Sequence, residues 1–477
     1  EAVEVHVASD NSDPRAVGLI LFAPPVEPHG LAGQMRVGVD FGTSNTNVFI
    51  RVGDSKAIPW TIDFPRHLLR VTAGMDASRD ALLRACFVPD ALISLPIPTH
   101  LRLFNESERR HPLLDYFIFF SNDLHVPENV YTDIKWEEEG ARKAQHFLES
   151  VLLLLLLEAV TSRVARIVMA YSYPKAFSSS MYETYRGDWR GELNELTSGK
   201  DRVLDARTVS GERDHRLDIV GPFEETEGVA AGRFFGSEET IPSAMQRASI
   251  ATAAVCLDVG GGTTDISVWF RSEIAFDASV RLAGREVADA LRRNPRVLDL
   301  LMEDPEAARA LEDKREHPSQ FASRLNLVLR NSDASVAANL RRFGAADPQL
   351  QWLRRLIVVE FGAIAFYVGS TIAAADRIKP GLLDAFAASE VALHWGGNGA
   401  KFLNWLGLGS FDEDSPGARF LNALLYQSLR ESNQHVDSKF FAQRQSPGHK
   451  QEASGGLVVI EERLLRKSTR SSLDDYE

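Results

Sequence analysis

Two short segments hold the residues best suited to chemistry. Asp40-Phe-Gly-Thr-Ser-Asn-Thr46 and Asp258-Val-Gly-Gly-Gly-Thr-Thr264 each place a glycine two residues, and a threonine six residues, after an aspartate. Each follows an apolar stretch and precedes an alternating one, the pattern of strand, tight turn and strand. Gly42, Gly260, Gly261 and Gly262 permit positive φ and let backbone N–H groups approach an anion. Thr43, Ser44, Thr46, Thr263 and Thr264 add hydroxyl donors, so each turn has the makings of a phosphate cradle. Asp40 and Asp258 would repel a bare phosphate, a conflict that a hydrated magnesium ion held through its waters removes. Taken singly, each segment is an ordinary hairpin turn, where Gly, Asn, Asp and Thr are common. The matched spacing at the start of each half of the chain favours a duplicated phosphate site instead.

The elements that must position these turns follow from the pattern. Arg36 to Asp40 and Asn47 to Val52 read as strands around the first turn, with a further short strand near Ala57 to Phe64. Ala141 to Val160 reads as a long helix, then Arg166 to Ser172 as a strand stopped by Pro174. A short helix is expected from about Thr226 to Phe234. In the second half, Ala254 to Asp258, Asp265 to Phe270 and Glu273 to Arg281 read as strands, 285 to 378 as mainly helical, and Val391 to Trp395 as a short strand. A last helix is expected within Ser446 to Val459. The expected organisation is an extension over 1–35, a first α/β half over 36–250, a second over 251–465 with a helical insertion near 285–350, and a mobile tail over 466–477.

On these residues the chain resembles the superfamily of actin, sugar kinases and heat-shock chaperones. Asp40 to Thr46 is similar to its first phosphate motif and Asp258 to Asp265 to its second. Gly396-Gly-Asn-Gly399 after a strand resembles its adenosine motif, and Glu225-Thr-Glu-Gly-Val-Ala-Ala231 its first connecting helix, with Phe361 to Phe366 as a candidate for the second. The resemblance implies an α/β fold of two duplicated actin-like (ribonuclease-H-like) domains around a central cleft that binds ATP or ADP with magnesium. It implies that Asp40 and Asp258 hold the hydrated ion. Gly42, Thr43, Ser44, Asn45, Thr46, Gly260, Gly261, Gly262, Thr263, Thr264 and Asp265 surround the phosphates, and Gly396, Gly397, Asn398 and Gly399 the nucleoside. Glu225 would orient the attacking water, with Asp265 assisting and Lys135 as the candidate phosphate-positioning lysine. The usual proline after the catalytic glutamate is Thr226 here, and Gly228 stands where alanine is common, so Glu227 rivals Glu225.

Composition excludes several alternatives. A formal net charge of −13 argues against a general nucleic-acid binder. There is no Walker-type P-loop, Gly396–Gly399 lacks the third glycine of a dinucleotide fingerprint, and the histidines lack the spacing of a zinc site. Trp136, Trp189, Trp352, Trp395 and Trp405 read as core or surface anchors, and Ser178 to Ser180 as a loop or helix cap. Two cysteines, Cys86 and Cys256, exclude a disulfide framework and suit buried thiols. The longest apolar run, Val151 to Leu157, is too short to span a bilayer, and Glu1 to Asp10 shows no secretory signal. A reduced, cytoplasmic setting is the default expectation.

Three readings of cellular role stand. Gly260 to Asp265 nearly reproduces the heat-shock-chaperone string, which suggests an ATPase whose cleft closure drives a protein partner or client. A filament-forming bacterial actin and a small-molecule kinase are the alternatives.

Overall fold

The computed structural model describes residues 2–7, 15–21, 33–61, 97–103, 116–118, 130–132, 134–136, 141–196, 203–206, 215–237, 253–302, 305–311, 318–344, 346–378, 380–387, 391–406, 416–432, 441–445 and 452–460. Two sheets organise these residues. The first contains β1 (Gln34–Phe41), β2 (Asn45–Val52), β3 (Ile58–Pro59), β4 (Arg166–Tyr173) and β5 (His215–Thr226). The second contains β6 (Ala253–Val259), β7 (Thr264–Phe270), β8 (Glu273–Val280), β9 (Val391–Gly396) and β10 (Phe441–Gln445).

The strand order of the first sheet is 3-2-1-4-5, with Val203–Ala206 added beyond β5. In the second it is 8-7-6-9-10, the same order shifted by five. In each sheet the first three strands form an antiparallel meander. The fourth strand then runs parallel to the first, and the fifth parallel to the fourth. The chain is therefore a duplicated α/β fold, and the duplication extends from the turn motifs to the whole strand path. Parallel neighbours require crossover connections. These are supplied by α1 (Ala141–Thr161) and the helix over 179–196 in the first half. In the second they include α4 (Arg285–Arg293), α5 (Pro318–Phe343), α6 (Pro348–Ile378) and α7 (Pro416–Ser432).

The two cores differ in character. The first lies between the sheet, α1 and α2 (Ser179–Leu196) and includes aromatic stacks, Phe41 on Phe147 at 5.3 Å and Tyr171 on Trp189 at 4.8 Å. The second is an aliphatic helical mass over the sheet. Its central helix, α6, is long and apolar enough by length and composition to cross a membrane, with a mean hydropathy of 1.9. It is a core helix here. Ile357, Phe361, Ile364, Ala365, Val368 and Ile372 are fully buried against the second sheet and α7. The apolar content that suggests a membrane span is spent on packing within the second half.

Between the sheets lie two short helices, α3 (Glu227–Gly236) and α8 (Glu452–Val459). Helix α8 lies on the first sheet, with Leu457 and Val458 beside Gly38, while α3 abuts the second through Ile266 and Trp269. The last helix therefore returns to the first half, although it follows all five strands of the second. The two helices cross where a Cβ on Gly456 would run into the Ala230 carbonyl, so only glycine permits this approach. This location corrects one expectation. Phe361–Phe366 lies in the middle of α6, and the helix that meets α3 at the junction is α8. The tail from 466 onward and Cys86 lie outside the described residues. Cys256 is a buried thiol on β6, and its burial pushes its pKa well up.

Candidate functional site

The two matched turns end β1 and β6 on the same side of the molecule and face each other. In the first, Phe41 pairs with Thr46, leaving Gly42 to Asn45 as the turn; in the second, Val259 pairs with Thr264. A Cβ on Gly261 would stand 2.8 Å from Ser44 Oγ, and one on Gly262 would stand 3.2 Å from Thr43 Oγ1. Side chains of one turn thus touch the backbone of the other.

The two turns are held by different means. Thr99 Oγ1 donates to the Gly42 carbonyl at 2.8 Å and lies 2.9 Å from Thr46 Oγ1. In the second turn, Gly260 N–H donates across to the Thr263 carbonyl at 2.8 Å. The N–H groups of Gly284 and Arg285, at the start of α4, donate to the Gly260 and Gly261 carbonyls. Thr264 Oγ1 donates to the Leu282 carbonyl at 2.6 Å. Both sixth-position threonines, expected to contact phosphate, are fully buried and have hydroxyl contacts beneath their turns. Thr43, Ser44, Gly260 and Gly261 line the cleft instead.

Carboxylates from both halves converge beside these turns. Asp40 and Asp258 sit at the strand ends, both buried, and Ser172 Oγ donates to Asp40 Oδ1 at 3.2 Å. Glu227 begins α3, where Thr226 caps the helix by accepting from Val229 N–H. Its Oε1 pairs with Lys135 Nζ at 2.7 Å, and both residues are buried. Asp265 pairs with Asp258 across the hairpin. Burial first, then the charge of Glu227 and a hydrogen bond with it, then Asp258, push the Asp265 carboxyl well above its ordinary range. Tyr185 is raised likewise, chiefly by burial, with Glu227 and Asp40 both contributing. Asp40, Glu227, Asp265 and Asp258 therefore share one electrostatic environment, in which Lys135 pairs with Glu227.

Glu225 lies elsewhere. It is half-buried on β5, its Oε1 accepts from Thr226 N–H at 3.0 Å, and its charge acts on Arg233 and Tyr173. Of the two rivals, Glu227 is the residue brought to the turns.

The cleft continues from the turns into the second half as an open groove. Its far end is formed by Arg285 and Ala288 of α4, Ala322 and Asn326 of α5, and Asn398, Gly399, Lys401 and Phe402 after β9. Lys401 Nζ donates to Asn326 Oδ1 at 2.6 Å, which fixes the amide orientation because an ammonium only donates. Of the four residues expected at the nucleoside, Asn398 and Gly399 line the groove. Gly396 ends β9, and Gly397, at φ +83°, lies under Asp258, where a Cβ would strike Asp258 Oδ1. Arg285, Asn326 and Lys401 were not anticipated. They lie on three separate elements and form no local motif.

No protein-family model matches the chain, and no curated protein matches its sequence. Among solved structures it is similar to MreB5 of Spiroplasma citri bound to ADP, at 11% identity and a TM-score of 0.43, covering 91% of this chain and 98% of that one. It is similar to the archaeal actin homologue Ta0583, at 12% identity and a TM-score of 0.37 over 92% and 99%. It is similar to the actin-like protein Alp7A, at 12% identity and a TM-score of 0.39 over 93% and 100%. The repeated 3-2-1-4-5 strand order, with a turn motif at the end of the first strand of each sheet, matches the architecture implied by the sequence resemblance.

Proposed function

We propose that this protein is an actin-like ATPase that binds ATP, with magnesium, in the cleft between its two halves and couples hydrolysis to their relative placement. One observation carries the reading. Two glycine- and threonine-bearing turns from separate sheets meet at a cluster of buried carboxylates, and a groove runs from the same point into the second half.

The donor set fits a divalent cation. Asp40 and Asp258 are buried at the ends of the two strands that carry the turns, beside Glu227 and Asp265. Among the described residues no three acidic, histidine or cysteine side chains form a direct ligand set. Asp40 and Asp258 would therefore hold magnesium through its waters, as the resemblance implies. When bound, the ion supplies neutralisation of the phosphate charge. Thr43 and Ser44 would grip the phosphates from the first half, and the Gly260–Gly262 backbone from the second. Glu227, oriented by its pair with Lys135, would accept the hydrogen bond of an attacking water. Asp265, whose carboxyl is pushed well up by burial and by the charge of Glu227, would assist beside it. Asn326, Lys401 and Asn398 would bind the nucleoside. Positioning and charge compensation dominate phosphoryl transfer, and these residues supply both.

A second reading, self-assembly into filaments, is favoured by one feature. Trp352, Val359 and Phe366 recur every seven residues on α6 and are 41%, 68% and 37% exposed, with Phe420 of α7 alongside at 43%. An exposed apolar face of this kind marks a protein contact. The chaperone branch, by contrast, rests on the Gly260–Asp265 string alone.

Calorimetric titration with ATP and magnesium tests the central claim. Wild-type protein should bind saturably, and Asp258→Asn should weaken magnesium-ATP binding by more than about tenfold. Failure of the wild type to bind either ATP or ADP sinks the reading. High-speed sedimentation of the same samples separates the two cellular roles, since only a filament former pellets in a nucleotide-dependent way.

A further inference from the structure

Beside Lys135, in the short 3₁₀ turn Ile134–Trp136, stands a side chain that the site described above does not use. The indole of Trp136 donates from Nε1 to Thr43 Oγ1 at 2.6 Å. A Cβ on Gly262 would lie 3.4 Å from the same Nε1. The indole N–H, the Thr43 hydroxyl and the Gly262 backbone thus occupy one small volume where the two turns meet. On one side, Phe177 meets the indole edge-on at 5.0 Å. The guanidinium of Arg281, which follows β8 in the second half, lies 5.2 Å from the ring centroid.

The direction of the hydrogen bond matters. An indole N–H can only donate, so Thr43 Oγ1 must accept from it, and the threonine's own proton is left to give elsewhere. Thr43 lines the cleft. A hydroxyl fixed as a donor at a phosphate cradle is preorganised for an anionic oxygen, and it loses little entropy when the ligand arrives. The Arg281 contact adds a second consequence. A cation over an indole face is attractive, so the ring that orients the first turn is tied to the segment leading into α4. That segment holds the second turn through the Gly284 and Arg285 N–H groups.

We propose that Trp136 is a positioning residue for the terminal phosphate: it turns the Thr43 hydroxyl toward the ligand and, through Arg281, links phosphate binding to the approach of the second half. The inference rests on the nucleotide reading above and assigns a device within that site. The terminal phosphate is singled out because the same three-residue turn carries Lys135, the partner of Glu227.

Trp136→Phe keeps the ring for Phe177 and Arg281 and removes only the N–H. With a non-hydrolysable ATP analogue and magnesium, its affinity should fall about tenfold, and with ADP less than about threefold, the difference expected for a hydrogen bond to a charged group. Thr43→Val should show the same selective loss, and the double variant should be no weaker than either single one, because one bond cannot be lost twice. Arg281→Gln should lower the affinity for the analogue by a smaller factor. Unchanged affinities in Trp136→Phe, or equal losses for the analogue and ADP, overturn the proposal while leaving the nucleotide reading intact. Absence of binding by the wild type overturns both. If Trp136→Phe does not fold, Thr43→Ser must keep the analogue's affinity and Thr43→Val must lose it; any other pattern refutes the proposal.

Discussion

The two halves share a strand path and a turn motif, yet they hold those turns by different means. The first turn is braced by the side chains of Thr99 and Trp136 together with the Thr99 N–H, which donates to the Ser44 carbonyl. The second is braced by backbone, through the N–H groups at the start of α4. The contrast extends into the cores. Buried acids in the first half are partnered: Glu158 accepts from Trp60 and Ser162, and Glu224 accepts from Tyr171 with Arg186 Nε 3.5 Å away. In the second half Glu360 on α6 is 4% exposed, and neither of its oxygens finds a hydrogen-bond partner among the described residues. Duplication thus brings the two turns together. The parts that are not duplicated supply the asymmetry: the groove lined by Asn326, Asn398 and Lys401 in the second half, and an acid, Glu227, at the junction.

The largest expected effect concerns that junction acid. Glu227→Gln keeps the helix start and removes the charge that pairs with Lys135. Hydrolysis should fall by about 10²–10³-fold with nucleotide affinity largely retained, the signature of an interaction made in the transition state. Glu225→Gln, at a residue outside the carboxylate cluster, should stay within about threefold of wild type. Single-turnover hydrolysis measures both. Equal losses would mean that the two glutamates act together and that the asymmetry drawn here is wrong.

Why the sequence pointed first to Glu225 is a matter of register. Glu225-Thr-Glu227 offers two acids, and only the position of the helix start chooses between them; the Thr226 cap makes Glu227 the first helical residue. The paired turns were legible because Asp, Gly and Thr at fixed offsets state a local geometry. So were the strands beside them, whose alternation needs no distant information. The last helix was located near its true span, but its destination was hidden. The pattern Phe361–Phe366 is as apolar as a junction helix, whereas the informative residues were Gly455 and Gly456, whose small size matters only once α3 lies across them. Lys401 and Asn326 meet through the fold alone, and no spacing announces them.

The unpartnered acid gives the next effect in size. Burial first, then Glu286, pushes the Glu360 carboxyl up to about 9 from an ordinary 4.5. Between those values the unfolded chain ionises this group while the folded chain keeps its proton. The folded state therefore holds more protons, and stability falls as pH rises through the window. Glu360→Gln removes the titration and keeps the shape. It should be more stable than wild type at pH 8 by about 1–2 kcal/mol, with the advantage shrinking toward pH 5. Urea unfolding at the two pH values checks this. A variant destabilised equally at both would show that the carboxyl has a partner after all, and that the contrast between the cores is weaker than drawn.

The smallest effect probes the duplicated threonines directly. Thr46 and Thr264 occupy equivalent places in their turns, both are fully buried, and each hydroxyl has a contact beneath its turn. Their partners differ in kind. Thr46 shares a hydrogen bond with Thr99, a hydroxyl that also donates to the Gly42 carbonyl, so its loss leaves that second bond in place. Thr264 is the donor to the Leu282 carbonyl, and its loss leaves that carbonyl without this donor just ahead of the helix that braces the second turn. Valine is close in shape to threonine and isolates the hydroxyl. Thr264→Val should therefore cost about 1–2 kcal/mol of stability and Thr46→Val about 0.5–1. Both should change nucleotide affinity by less than about threefold, since neither hydroxyl is directed to the cleft. Denaturation midpoints and nucleotide titrations on the two variants decide the matter. If Thr46→Val instead lowers nucleotide affinity tenfold while stability holds, the first turn binds phosphate through its sixth residue, and the two turns differ in function as well as in bracing.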